Sequence, residues 1–196
     1  MKPLQEDLRI RRTKRLLKEA FIELLSEKPL DRLTVNMLAE RAEINRATFY
    51  LHYKDIKDFT EQFIDELFID LDAIFNESYD VPFTKEVEQD FLEKLLLYIE
   101  KHQEVFKSLL VSKNVPYFTQ MFMEMIQKMI ARRNQDQLSP NLFFDEYGVE
   151  HDFVSWYVSS ALIGTISLWL GNDLKYSARY MAMQIMRLNP FRNSID

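Results

Sequence analysis

The chain is expected to be all-α, and three features of its sequence carry that expectation. Glycine is scarce, with three in 196 residues, and proline is modest at six. No window alternates apolar and polar residues between glycine turns as a strand would. Apolar residues instead recur at i, i+3, i+4 and i+7. Hydrophobic content of 47% and aromatic content of 13% supply ample core material. The length fits one large domain or two small ones.

The elements follow in order. Leu8 to Glu27 reads as a helix with Leu16, Leu17, Ala20, Phe21, Leu24 and Leu25 on one stripe. Arg11, Arg12, Arg15, Lys18 and Glu19 lie off it. Pro29 disfavours helix for Lys28 and ends the run. Thr34 fits the N-cap of a second helix reaching Arg41, its oxygen taking an orphan amide of the first turn. Ala42 to Asn45 is a turn, and Asn45 caps a third helix, Arg46 to His52. Asp55 caps a fourth that runs to about Asn76. Pro82 marks a loop, and Thr84 to Lys101 is helical on Val87, Phe91, Leu95, Tyr98 and Ile99. Gln103 to Ser112 is a shorter helix. Pro116 suits the first turn of the next, which ends near Gln135. Gln137 to Asn141 reads as loop. Glu146 to Leu170 is a long helix closed by Gly171 and Asn172. Tyr176 to Asn189 is the last, stopped by Pro190, with a loose tail. We divide these elements, about nine helices in all, into a three-helix unit over residues 1–54 and a helical body over 55–196.

Composition narrows the function. The absence of cysteine excludes disulfide and thiolate chemistry. The first residues, MKPLQEDLRIRRTKRLL, lack the apolar run of a secretory signal. The longest apolar run, Ala161 to Leu170, is too short to span a bilayer. A soluble cytoplasmic protein with no membrane partner is the expectation. Net charge is −6, but its distribution is uneven. Residues 1–58 carry 13 Lys+Arg against 10 Asp+Glu, and the remainder carry 12 against 21. A basic end on an acidic body suits an end that meets phosphate, although chance asymmetry gives the same pattern.

The block from Thr34 to Phe59, TVNMLAERAEINRATFYLHYKDIKDF, is the most specific part of the chain. Two short helices joined by a tight turn, the second polar, basic and aromatic outside, suit the major groove of DNA. Ile44, Phe49 and Tyr53 face inward on this reading, leaving Arg46, Ala47, Thr48, Tyr50 and Leu51 toward the groove. Arg46 has the fork that can take O6 and N7 of guanine together, and Ala47 is small enough to permit close approach. The T-x-x-x-L-A-x-x-A core and the R-x-T-F-Y-x-H-Y-K run resemble the N-terminal domain of the tetracycline-repressor (TetR) family. The resemblance covers roughly residues 8 to 65. It implies that Thr48, Tyr50 and His52 anchor phosphates. Lys54, Lys57, Thr34, Asn36 and Thr13 complete the expected DNA-binding set. Plainer alternatives remain for Tyr50, as a surface tyrosine, and for Arg46, as a phosphate contact alone. The family usually has glycine in the turn where this chain has Glu43, so a left-handed backbone there would cost about 1 kcal/mol.

The same resemblance implies a dimer, since two half-sites one helical turn apart need a two-fold pair. Phe153, Tyr157, Ser160, Ala161, Gly164 and Leu168 form one side of the long helix. Ala178, Met181, Ala182, Ile185 and Leu188 form a stripe on the last. Together they are the expected interface, unless these stripes pack within one subunit. Phe91, Tyr98, Phe106, Phe118, Met121, Phe122, Met125 and Trp156 are candidates for an effector pocket, with ordinary core filling as the alternative. Tyr117, Phe143, Phe144 and Trp169 belong to the same aromatic-rich set.

The long helix ending in W-L-G-N is similar to a C-terminal type frequent in Gram-positive regulators, some of which work with a protein partner. The leading expectation is therefore a DNA-binding regulator, a repressor of a palindromic operator released by an effector. A co-regulator or activator that binds another protein is the alternative. No Ser-His-Asp, Cys-His or Glu-x-x-His arrangement and no phosphate-cradling glycine loop supports an enzyme. His52, His102 and His151 stand on separate elements, so neither a metal nor a cofactor is expected.

Overall fold

A computed structural model describes residues 8–77, 84–135 and 149–188. The expected loop between residues 137 and 141, the aromatics at 143 and 144, and the tail beyond 188 lie outside the described residues. All regular structure among the described residues is helical. Helices α1 (Leu8–Glu27), α2 (Val35–Arg41) and α3 (Arg46–Tyr50) form a head. The body contains α4 (Ile56–Glu77), α5 (Lys85–Lys101), α6 (Gln103–Phe106), α7 (Phe118–Gln135), α8 (His151–Gly171) and α9 (Ala178–Leu188).

The head forms as its caps dictate. Pro29 turns the chain after α1 into a single 3-10 turn, Leu30–Arg32. Thr34 Oγ1 accepts from the Met37 N–H at 3.2 Å, and Asn45 Oδ1 accepts from the Ala47 N–H at 2.8 Å. Asp55 Oδ1 accepts from the Asp58 N–H at 2.8 Å and so starts α4. Arg41, at the end of α2, reaches Glu23 and Glu27 of α1 at 3.2 and 2.8 Å. Its hydrogen bond to Glu27, then that to Glu23, holds the guanidinium pKa above its usual range. Between α2 and α3 the chain reverses through Glu43, at φ 53°. This is the left-handed conformation that the glycine usual at this turn in the resembled family implied.

An aromatic cluster seats α3. Phe49 is fully buried and lies 5.4 Å from Tyr53 and 6.2 Å from Phe59, centroid to centroid. Tyr53 meets Phe59 edge-on at 4.8 Å, and Phe21 of α1 meets Phe59 at 5.0 Å. The first half of α4 thus belongs to the core of the head, and one hydrophobic cluster continues from Leu17 to Met186.

In the body, α9 lies along α5, and α8 packs on α7 and on the segment after α6. That segment, Lys107–Val111, is a π-helical turn, with the Ser112 N–H donating to Lys107 O at 3.0 Å. The turn leads to Asn114, which clasps the head twice. Its Nδ2 donates to Leu25 O at 2.5 Å, and its carbonyl accepts from the Leu30 N–H at 2.9 Å.

Several helix boundaries differ from expectation: α3 ends at Tyr50 and not at His52, α6 gives way to the π-turn after Phe106, and α9 starts at Ala178 and not at Tyr176. Val149 and Glu150 are not helical, so α8 starts at His151 and not at Glu146; Glu150 sits in the extended cap position at ψ 137°. Gly171 remains helical, and the reversal falls on Asp173 and Leu174 at φ 51° and 52°. By composition α8 is long and apolar enough to cross a membrane, with a mean hydropathy of 1.4. Val154, Leu162, Ile163, Ile166 and Trp169 are buried within the subunit, while Phe153, Trp156, Tyr157 and Leu168 are exposed.

Glu43→Gly should raise stability by roughly 0.5–1 kcal/mol, as relief of left-handed strain outweighs the freedom glycine gains when unfolded. A higher urea midpoint with an unchanged slope checks it. Asn114→Ala should lower stability by about 1–3 kcal/mol, because Leu25 O and the Asn114 side chain lose their bond in a half-buried place. Hydrogen exchange should show the loss first in the last turn of α1.

Candidate nucleic-acid interface

The buried Phe49 fixes which side of α3 faces out. Arg46, Ala47, Tyr50 and Leu51 are exposed, Leu51 to 79%, and Thr48 and His52 are half-buried. Tyr53 and Phe49 are buried and Ile44 is half-buried, the three positions read as inward. Thr34 and Asn36 are exposed at the start of α2, and Thr13 is half-exposed on α1. Lys54 and Lys57 are exposed at the start of α4.

Several nearby cations are already matched by carboxylates. Lys57 lies 3.7 Å from Glu61, Arg15 lies 3.0 Å from Glu19, and Lys18 pairs with Glu66. The Lys54 backbone N–H donates to Asp58 Oδ2 at 2.8 Å. That bond, then one from Gln62, holds the Asp58 carboxyl below its usual pKa. Arg46 differs. Its Nε and Nη2 donate to Tyr50 Oη at 3.3 and 3.0 Å, and its guanidinium carbon stands 5.3 Å from the centre of the tyrosine ring. His52 lies beside Tyr53 with ring centres 6.3 Å apart.

The body holds an apolar cavity of about 150 Å³ between α4, α5, α7 and α8. Phe91, Phe122 and Met125 line it, as read from the sequence. The other five candidates do not. Phe106 and Phe118 are fully buried and meet edge-on, with centroids 6.3 Å apart. Tyr98 donates its hydroxyl to Asp70 at 2.9 Å, and burial raises its pKa. Met121 lies beside Ile56 and Tyr117, near the head. Trp156 is on the outer face of α8, half-exposed, with its ring 5.2 Å from that of Phe153. The walls missed by sequence include Leu71, Phe75, Leu95, Met129 and Leu162. Nothing in their spacing separates them from ordinary core residues.

Phe153, Tyr157, Ser160, Ala161, Gly164 and Leu168 are all exposed along one side of α8. Trp156 widens that stripe, and no charged residue interrupts it from Phe153 to Leu168. The stripe on α9 is a correction. Ala178, Met181 and Ala182 are buried because α5 covers that face, and Ile185 is half-buried. These four pack within the subunit and leave Tyr180, Arg187 and Leu188 on the exposed side of α9.

Two family profiles match the chain: one described as bacterial regulatory proteins of the tetR family, over residues 17–62, and one as a transcriptional regulator C-terminal region, over residues 86–190. A curated relative, the uncharacterized HTH-type transcriptional regulator YxbF of Bacillus subtilis (strain 168), is 22% identical over 174 residues. The alignment takes in 88% of this chain and 43% of the relative, so the chain spans less than half of that protein's length. Among solved structures, a TetR transcriptional regulator from Streptococcus agalactiae 2603V superposes with a TM-score of 0.66 at 25% identity, over 93% of this chain and 96% of that one. The transcriptional regulator FadR from Bacillus subtilis, in complex with stearoyl-CoA, shares the fold with a TM-score of 0.66 at 13% identity, over 88% and 95%. With the head, the outward face of α3 and the C-terminal body all accounted for, the chain belongs to the TetR family of DNA-binding transcriptional regulators.

Proposed function

We propose that the chain is a repressor that binds a palindromic operator as a homodimer and leaves it when an effector occupies the body. The observation that carries this reading is the outer face of α3, held outward by buried Phe49 and presenting Arg46, Ala47, Thr48, Tyr50 and Leu51 together. Arg46 reads a base, the neighbouring polar groups position the backbone, and Lys54 adds charge at the start of α4. Such a protein works where the chromosome lies, in the cytoplasm.

The exposed stripe of α8 supports the dimer. A Cβ placed on Gly164 meets no atom within 4 Å, so nothing among the described residues requires glycine there. Glycine in a helix interior costs about 1 kcal/mol relative to alanine. Close crossing by a second copy of α8 gives that glycine a reason, and the flanking Ser160 and Ala161 are equally small.

The cavity supports a compact apolar effector. A cavity of about 150 Å³ matches the size of one known to hold benzene. Occupancy acts only if it favours one spacing of the two heads over the other. Lining helix α8 also touches the π-turn, and Asn114 beyond it grips the head. That is the route by which a wall displacement reaches α3.

Selection of bound fragments from a random DNA pool tests the reading directly, and an inverted repeat is the expected product. Recovery of no enriched sequence, even in dilute salt, would overturn it. On the selected site, Arg46→Ala should lose ~1–3 kcal/mol of affinity and relax one base position, as measured by fluorescence anisotropy across single-base variants. Gly164→Leu should leave the helical content intact and shift the mass toward monomer in light scattering. Retention of a dimer by that variant would place the interface elsewhere.

A further inference from the structure

Arg46 is held differently from four other cations of this head. Arg41 is tied to Glu23 and Glu27, Arg15 to Glu19, Lys18 to Glu66 and Lys57 to Glu61. Arg46 is instead held by a neutral oxygen, the phenol of Tyr50, so its charge is steadied without being cancelled. Helix stability does not call for arginine here. It is the first residue of α3, where the helix dipole disfavours a cation.

The two bonds also select an edge. Nε–H and one Nη2–H form the side-on edge of the planar guanidinium, and both point to Tyr50 Oη at 3.3 and 3.0 Å. The end-on pair, one N–H from each Nη, carries none of these bonds, and it is a fork matched to O6 and N7 of guanine. The tyrosine is itself braced. Its ring meets Phe49 edge-on at 5.6 Å and 88°, and Phe49 is fully buried. The buried core therefore sets the phenol, and the phenol sets the arginine.

We propose that Tyr50 is a positioning residue for base recognition, which presents the end-on fork of Arg46 to a guanine before DNA arrives. This rests on the reading of Arg46 as the base contact. It adds to the phosphate-anchor role that Tyr50 carries by resemblance, because an oxygen accepting from arginine still has its own O–H to donate. Preorganisation of this kind lowers the ordering cost at the moment of binding.

Tyr50→Phe is the test, since it keeps the ring and removes only the oxygen from an exposed position. The full chain and its Tyr50→Phe, Arg46→Ala and double variants are titrated against the selected operator and its single-base substitutions. Tyr50→Phe should weaken discrimination by roughly three- to tenfold, the scale of one hydrogen bond, at the same base pair that Arg46→Ala relaxes. In the double variant the loss of the oxygen should have no further effect on discrimination. An even loss across all sequences with a smaller salt slope would reduce Tyr50 to a phosphate anchor and overturn the proposal, and so would an unchanged profile. If Arg46→Ala alone leaves every base preference intact, the base-reading role of Arg46 fails and this proposal falls with it. If Arg46→Ala relaxes a position and Tyr50→Phe does not, only the positioning role fails.

Discussion

A helix of five residues cannot hold itself in water. Nucleation is costly, and isolated helices shorter than about 12–15 residues are marginal. α3 spans only Arg46–Tyr50, so its existence and its rotation both come from what it packs on. That support is the ring cluster of Phe49, Tyr53, Phe59 and Phe21, whose neighbouring centroids lie 4.8–6.2 Å apart. One consequence is mechanical. Because Phe59 belongs to α4 and Phe21 to α1, the reading helix is fastened to both neighbours and cannot rotate without them. A second is chemical, since the residues that meet solvent are those the ring cluster leaves over.

The head was legible in the sequence because its boundaries are made by local chemistry. Thr34, Asn45 and Asp55 cap the helices at the positions where short polar side chains satisfy orphan amides. Pro29 stops α1 and Glu43 takes the reversal. These are nearest-neighbour effects, visible in any window of a few residues. The body was legible only as helices. Ala178, Met181 and Ala182 have the same spacing whether the facing helix is a partner's or the subunit's own α5. The sequence carries a stripe and no label for its occupant. Trp156 shows the same ambiguity in reverse. An aromatic in an apolar helix reads as lining, yet it turns outward beside Phe153 because Val154, Ser159 and Leu162 occupy the inner side of α8.

Glycine and left-handed residues illustrate how function overrides local preference. Gly164 stands in a helix with open space around its missing side chain, so helix propensity and internal packing both argue for a larger residue. Glu43 occupies a left-handed backbone that glycine would take more easily. The first departure makes sense when a second helix needs the space. The second has no side-chain partner among the described residues to explain it. What it does change is charge, since it places a carboxylate at the exposed turn between α2 and α3. A reading head with weaker indiscriminate attraction to phosphate depends more on its base contacts.

That dependence raises the premium on how Arg46 is held. Of the basic residues discussed at the head, Arg15, Lys18, Arg41 and Lys57 are tied to carboxylates in the free protein. For those, phosphate must displace an existing partner, so their net gain on binding is reduced. Arg46 gives up no ion pair when it meets a base, and its phenol bonds can persist in the complex. The head thus separates two tasks that cations usually share. Paired side chains such as Arg41 and Lys18 fasten the helices, while Arg46, steadied by a neutral oxygen, remains available for recognition.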